Sequence, residues 1–92
     1  MPRVFKFGAY AVYFWTNEGK PLEPVHVHIS EGQQTANATK IWITSNGGTL
    51  VCNNNSKIPA RTLYNILDLL EVHSQKIIDA WKERFGEVKF YC

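Results

Sequence analysis

The sequence predicts an α+β fold, in which an antiparallel sheet of about four to six strands carries two C-terminal helices packed on one face. Two patterns predict this fold. Short alternating runs of apolar and polar residues fill residues 4–52, and a helical spacing of apolar residues takes over after residue 58. The chain has 92 residues, of which 45% are apolar and 20% charged. This size and composition are typical of one globular domain, spanning residues 1–92, with a single core.

Five runs are typical of strands, because their apolar residues alternate or because they are rich in aromatic and β-branched side chains. In chain order these runs cover residues 4–7, 9–15, 25–29, 40–44 and 49–52. Glycine, asparagine and proline mark the turns between them, and Asn46-Gly47-Gly48 is a strong hairpin signal. The polar segments 16–21 and 31–38 are therefore expected to be loops.

An apolar stripe with helical spacing runs through the last third of the chain and consists of Leu63, Ile66, Leu67, Leu70, Ile77, Ile78, Trp81 and Phe85. Pro59 suits a first helical turn, and Gly86 suits a helix end. One continuous helix would be roughly 40 Å long, whereas a domain of this size has a radius of gyration of about 12–13 Å. We therefore expect a break at residues 72–74, with His73 or Ser74 capping the second helix. Residues 87–91 are expected to form a last short strand or an ordered tail.

The alternation in the third run separates two sets of side chains, because residues two apart in a strand point to the same side. Val25, Val27 and Ile29 are expected to face the helices. His26 and His28, which alternate with them, are then expected on the side of the sheet that the helices do not cover. The same argument applied to the neighbouring runs adds a lysine and two aromatic residues. The predicted binding face consists of Tyr13, His26, His28, Lys40 and Trp42.

The His-x-His pair has two chemical interpretations. Two imidazoles on one strand face can share a zinc, manganese or iron ion, so His26 and His28 are candidate ligands of a divalent transition metal. The third ligand is not selected by spacing, and the candidates are Glu23, Glu31, Cys52 and His73. The second interpretation is a metal-free hydrolase or nuclease, in which the two imidazoles act as general acid and base while Lys40 or Arg61 holds the charge. A pair of exposed histidines on a solvated strand is the alternative to both.

The aromatic and cationic side chains of this face also suggest binding. Bases can stack on Trp42 and on Tyr13 or Trp15, while Lys40 and the histidines contact phosphate. A face buried in a homodimer, or against another partner protein, explains the same aromatic residues without a ligand. The net charge of +2, from ten basic and eight acidic residues, permits nucleic acid without requiring it. Replacing His26 and Trp42 together by alanine is expected to leave the fold intact and to weaken binding.

The segment 52–61 is a further candidate site, because three asparagines and Ser56 lead into a predicted helix start that carries Lys57 and Arg61. Free backbone N–H groups and two cations there would favour a phosphate. The alternative is a purely structural loop, whose asparagines adopt left-handed conformations and cap the helix.

The expected compartment is the cytoplasm, without a membrane. No apolar run approaches the ~18 residues that a membrane helix needs. The N-terminal residues carry Arg3 and Lys6 in an alternating pattern, which is not typical of a signal peptide. Cys52 and Cys92 are interpreted as two free thiols in a reducing environment.

Five motifs together resemble a known family. The first is Met1-Pro2 followed by the aromatic run 9–15. The others are Asn17-Glu18-Gly19, Glu23-Pro24-Val25-His26-Val27-His28, Lys40-Ile41-Trp42 and Ala80-Trp81-Lys82-Glu83-Arg84-Phe85-Gly86. The pattern is similar to the bacterial domain of unknown function number 4160, with Val25 in place of the family's second proline. The resemblance implies a small, stand-alone bacterial protein whose partner is a co-encoded small protein or nucleic acid, in a toxin–antitoxin-like role. His26 and His28 match the family's motif, and no catalytic role is implied for them.

Overall fold

In a computed structural model that describes residues 3–14, 23–33, 35 and 38–92, a sheet of five strands is followed by two helices. The elements are β1 (Arg3–Phe7), β2 (Tyr10–Tyr13), β3 (His26–Glu31), β4 (Thr39–Ile43), β5 (Thr49–Asn53), α1 (Ala60–Val72) and α2 (Ser74–Phe85). Each strand pairs antiparallel with the next one along the chain, so the sheet order is β1-β2-β3-β4-β5. The predicted α+β class is confirmed.

The main core lies between one side of the sheet and the two helices. The sheet contributes Val12, Phe14, Val25, Val27, Ile29, Ile41 and Ile43, and the segment from β5 onwards contributes Ile58, Ile66, Leu70, Ile77 and Trp81. All of these residues are buried, and the predicted helix-facing side of β3 is therefore confirmed. Burying one such aliphatic side chain stabilises the fold by about 1.5–3 kcal/mol, so this layer explains why the helices pack on that side of the sheet.

The break between the helices falls at His73, inside the predicted segment. The His73 N–H donates to the carbonyl oxygen of Leu69 at 3.0 Å, and the Ile77 N–H donates to the carbonyl oxygen of His73 at 3.1 Å. His73 is the N-cap residue of α2, as predicted, and its side chain makes no capping hydrogen bond. The end of α2 is as expected: Gly86 has a φ of 84°, a left-handed conformation that glycine adopts without a Cβ clash.

The C-terminal residues 87–92 form an ordered tail rather than a strand. The Val25 N–H donates to the carbonyl oxygen of Lys89 at 2.8 Å, and the Ser45 N–H donates to the carbonyl oxygen of Cys92 at 3.0 Å. These two bonds tie the tail to the start of β3 and to the turn after β4. The tail therefore returns to the sheet after α2 and reaches the neighbourhood of Trp42.

Some predictions fall on residues that are not described. The loop 16–21, the motif Asn17-Glu18-Gly19 and Trp15 lie outside the described residues, as do residues 34, 36 and 37 of the predicted loop 31–38. Within the described parts, neither helix has the length and apolar character that crossing a bilayer requires.

Candidate functional site

The structure brings the predicted binding-face residues together in two neighbouring cross-strand rows. Tyr13 of β2 lies opposite His28 of β3, His28 lies opposite Lys40 of β4, and His26 lies opposite Trp42. Residues directly opposite in an antiparallel pair point to the same side of the sheet. We call these five residues, Tyr13, His26, His28, Lys40 and Trp42, the histidine face.

The histidine face is not open, which corrects the expectation from the sequence. His26 has an exposed fraction of 0% and His28 of 5%, and Tyr13 is also fully buried. Lys40 and Trp42 are half-buried. The strand alternation predicted the side of His28, which lies opposite Tyr13 and Lys40, whereas the His26 ring also contacts Trp81 of α2. Alternation contains no information on what covers that side, however, so the prediction of exposure was wrong.

Two segments remote in the chain provide part of the cover. The Tyr13 hydroxyl donates to the carbonyl oxygen of Thr35 at 2.9 Å and accepts from the Thr35 N–H at 3.1 Å. At the other end of the face, the Tyr91 ring of the tail lies on the Trp42 ring. The loop residue Thr35 and the tail residue Tyr91 thus contact a sheet surface that the strand pattern alone predicts to be exposed.

The two imidazoles are adjacent, with their ring planes nearly perpendicular. Their ring centroids are 5.2 Å apart with an edge-to-face angle of 87°. The His26 Nδ1 lies 2.8 Å from the carbonyl oxygen of Pro24, and the His28 Nδ1 lies 3.5 Å from the carbonyl oxygen of Ala38. A carbonyl oxygen can only accept a hydrogen bond, so these contacts place a proton on Nδ1 of each ring. In the neutral form of each ring the lone pair is then on Nε2.

The described residues supply no complete metal site. No group of three His, Cys, Asp or Glu side chains close enough to hold an ion occurs within residues 3–14, 23–33, 35 and 38–92. Among the four third-ligand candidates, the Glu23 carboxylate binds the Lys40 ammonium at 2.9 Å, and His73 lies at the helix junction. Glu31 lies at the far end of β3 opposite Tyr10, and Cys52 is exposed on β5. Metal binding by His26 and His28 stays a prediction.

The accessible part of this region is an aromatic stack that the tail completes. The rings of Trp42 and Tyr91 are 4.8 Å apart and inclined by only 4°, so they lie face to face. The Lys40 Nζ lies 4.4 Å from the centroid of the Trp42 ring, at cation–π distance. Tyr91 is 58% exposed. We call this pair of rings the Trp42–Tyr91 stack. It combines one covered indole with one solvent-facing phenol ring.

Sequence reasoning missed Tyr91. It lies in the tail, outside the period-2 and helical patterns, and neither pattern assigns a side to a residue in an irregular segment. The available signal was the presence of two aromatic residues, Phe90 and Tyr91, in a polar tail. That signal predicts a contact with the rest of the molecule but not its place.

The loop before α1 is organised by Asn54, which supports the structural interpretation of that segment. The Asn54 Oδ1 accepts from the Ile58 N–H at 3.1 Å and from the Thr39 hydroxyl at 2.8 Å, and its Nδ2 donates to the carbonyl oxygen of Ile58 at 3.0 Å. Lys57, and no asparagine of the loop, has a left-handed φ, at 56°, and α1 begins without a side-chain cap. Lys57 and Arg61 are both exposed, and phosphate binding by them stays a prediction.

Two surface cavities lie elsewhere. One, of about 420 Å³, lies beside the β4–β5 hairpin and is lined by Thr44, Ser45, Asn46, Gly48, Thr49, Leu50, Glu71 and Cys92. The other, of about 140 Å³, is lined by Lys6, Leu69, His73 and Lys76. Neither of them includes His26 or His28, so neither places a small-molecule substrate at the buried imidazoles.

Comparison with known protein families gives a match over most of the chain. A family model described as Domain of unknown function (DUF4160) matches residues 9–82. The matched segment contains the whole histidine face and most of α2, and Tyr91 lies outside it. No curated protein and no solved structure matches the chain.

Proposed function

Because the chain belongs to the DUF4160 family, whose description names no activity, we propose a function from the site itself: a small module that binds single-stranded nucleic acid through the Trp42–Tyr91 stack. The observation that carries this proposal is a phenol ring with one face on an indole and more than half of its surface in solvent. An unpaired base can add to such a stack as the next ring, and stacking of this kind contributes about 1–3 kcal/mol per base.

Two lysines lie near the stack, and one of them is neutralised by a carboxylate, so the attraction for a phosphate backbone is weak. Lys40 is already paired with Glu23, which reduces its attraction for an anion. Lys89 is exposed and lies two residues before Tyr91 in the same tail, so it is the cation that we expect to contact phosphate. The net charge of +2 agrees with weak, salt-sensitive binding of a short strand rather than with a duplex binder. Stacking on a ring also requires an unstacked base, which favours single strands.

The burial of the histidines is the reason for preferring nucleic acid over a protein partner at this site. A homodimer or partner interface on this side of the sheet would need a broad exposed apolar face. Tyr13, His26 and His28 are instead buried within the chain, which leaves a narrow stack at the surface. Binding of a co-encoded small protein, in a toxin–antitoxin-like pair, is the alternative within the same class of binding modules. The exposed free thiols of Cys52 and Cys92 support a reducing compartment such as the cytoplasm.

The test is a titration of fluorescently labelled single-stranded RNA and DNA oligonucleotides of mixed sequence, followed by fluorescence anisotropy. Tyr91→Ala is expected to raise the dissociation constant by about 5- to 100-fold, because it removes the exposed ring on which a base stacks. Tyr64→Ala is the matched control, since Tyr64 is 72% exposed on α1 and is expected to leave binding unchanged. Absence of binding by the unmodified protein, or equal effects of the two substitutions, would count against the proposal.

A second candidate function is a metal-dependent or acid–base hydrolase centred on His26 and His28. The observation in its favour is the pair of Nδ1 contacts to backbone carbonyl oxygens, which is the arrangement that orients the Nε2 of metal-binding histidines in proteins. The described residues do not complete the ligand set, so a third ligand would have to come from elsewhere.

Elemental analysis of untagged protein, purified without chelator, tests this second candidate. If it is correct, we expect about one equivalent of zinc, manganese or iron, which binds two imidazoles and a further ligand. The metal should disappear in both His26→Gln and His28→Gln while His73→Gln retains it. Protein free of metal in every preparation, or metal retained by both variants, would eliminate the metal-dependent form.

A further inference from the structure

The larger cavity, of about 420 Å³, lies next to the Trp42–Tyr91 stack. Leu50, which lines the cavity, is the cross-strand neighbour of Trp42, so their side chains lie on the same side of the sheet. Cys92, also in the lining, directly follows Tyr91 in the chain, and its carbonyl oxygen accepts from the Ser45 N–H at 3.0 Å. The cavity is therefore adjacent to the position of a base that stacks on Tyr91.

The cavity contains a carboxylate that no described cation neutralises. Glu71 of α1 lines the cavity and is exposed, and the Thr49 hydroxyl donates to its Oε2 at 2.9 Å. Within residues 3–14, 23–33, 35 and 38–92, no cationic side chain pairs with Glu71, and its carboxylate makes no other hydrogen bond. An ionised carboxylate has about four lone-pair positions on its two oxygens, so both oxygens of Glu71 can accept from a ligand.

An amide donor lies on the same cavity. The Asn46 Oδ1 accepts from the Gly48 N–H at 3.1 Å and from the Thr44 hydroxyl. Because an N–H can only donate, these bonds assign the oxygen of the amide to the turn and leave its Nδ2 for a ligand. The cavity thus presents two acceptor oxygens from Glu71 and one N–H₂ donor from Asn46.

We propose that this cavity binds an unpaired guanine base of the single strand that stacks on Tyr91. The Watson–Crick edge of guanine carries the O6 acceptor beside two adjacent donors, N1–H and the 2-amino group. The two donors match the Glu71 carboxylate, as the paired N–H groups of a guanidinium do, and O6 matches the Asn46 amide. The inference rests on the proposed nucleic-acid function and adds to it a preference for one base.

The other bases do not present the same pattern of donors and acceptors. Adenine and cytosine carry a ring-nitrogen acceptor next to their amino group, so one oxygen of the Glu71 carboxylate would face a lone pair. Uracil carries a single N–H between two carbonyl oxygens. Because Glu71 is exposed, water replaces part of a missing donor, and the expected preference for guanine is about five- to tenfold.

Anisotropy titrations with short oligouridine strands that carry one internal guanosine, adenosine, cytidine or inosine test the inference. The guanosine strand is expected to bind about five- to tenfold more tightly than the adenosine and cytidine strands. Inosine lacks the 2-amino group, so its strand is expected to lose most of this preference. Glu71→Gln replaces one acceptor oxygen by a donor and is expected to bring the dissociation constants of all these strands within about twofold of one another.

Asp68→Asn is the matched control, because it removes the same charge from an exposed position one turn earlier on α1, outside the lining of the cavity. It is expected to keep the preference for guanosine, so the ratio of dissociation constants separates base recognition from net charge. A preference that is lost in Glu71→Gln and kept in Asp68→Asn supports the inference.

Equal binding of all the strands by the unmodified protein overturns the inference and leaves the proposed function intact. A preference that survives Glu71→Gln, or that disappears in Asp68→Asn, overturns the inference in the same way. If no strand binds, the proposed function fails, and this inference fails with it.

Discussion

Replacing Trp81 by alanine is expected to lower the free energy of unfolding by about 3–5 kcal/mol, the range found for large aromatic residues in cores. Trp81 is fully buried, and its ring centroid lies 5.2 Å from that of Phe14, 4.5 Å from that of Phe85 and 5.2 Å from that of His26. It therefore joins α2 to β3 and to the end of β2. A domain of this size is stable by only about 5–15 kcal/mol, so this one change removes much of its stability.

Trp81→Phe separates the loss of the ring from the loss of the indole N–H. Within the part of the chain that the structure describes, the buried Trp81 Nε1–H has no hydrogen-bond partner. Phenylalanine keeps an aromatic ring and removes an unpaired donor, so we expect a loss below about 1.5 kcal/mol. Urea unfolding followed by far-ultraviolet circular dichroism gives both values. If the two variants lost the same free energy of unfolding, an aromatic ring at this position would not stabilise the fold, and the packing account of Trp81 would be contradicted.

His26→Ala is expected to lower the free energy of unfolding by about 2–4 kcal/mol, because it leaves a cavity and removes the hydrogen bond to the Pro24 carbonyl oxygen. The imidazole is fully buried, its Nδ1 lies 2.8 Å from the Pro24 carbonyl oxygen, and its ring contacts those of Trp42 and Trp81. On the sequence alone, His26→Ala together with Trp42→Ala was expected to leave the fold intact. The burial of His26 reverses that expectation.

His73→Ala is the control for His26→Ala, because it removes the same side chain from an exposed position at the helix junction. We expect it to cost less than about 1 kcal/mol. Urea unfolding midpoints of the two variants, measured under identical conditions, make the comparison. A His26→Ala variant as stable as His73→Ala would contradict the buried position of His26. For the same reason, a loss of nucleic-acid binding in His26→Ala would not by itself identify a contact residue.

The sequence predicted much of the fold because local patterns determine much of it. The alternation of residues 25–29 gave the correct core side for Val25, Val27 and Ile29, and the helical stripe placed Ile66, Leu70, Ile77 and Trp81 in the core. The break at His73 followed from comparing a helix length with the size of a domain. The sides of the strands and helices follow from residues close in the sequence, and the helix break follows from the size of a single domain.

The site was predicted less well, because it depends on contacts between distant segments. The histidines are buried where a loop residue, Thr35, and a tail residue, Tyr91, come close to residues of the face, and no periodic pattern relates these segments. Lys57 adopts the left-handed conformation expected of an asparagine because the side chain of Asn54 holds the main chain of Ile58 just after it. Hydrogen bonds within the loop, between residues four apart, thus override a residue preference that is correct on average.

Chemical-shift mapping by nuclear magnetic resonance is the most direct test of the proposed nucleic-acid site. Spectra of the isotope-labelled protein would be recorded while an unlabelled single-stranded oligonucleotide is added. We expect the largest shifts at the Trp42 indole N–H and at the amides of Lys89 and Tyr91, and we expect these shifts to disappear in Tyr91→Ala. Shifts centred on Lys57 and Arg61 with Trp42 unchanged, or no shifts at all, would contradict binding at the Trp42–Tyr91 stack.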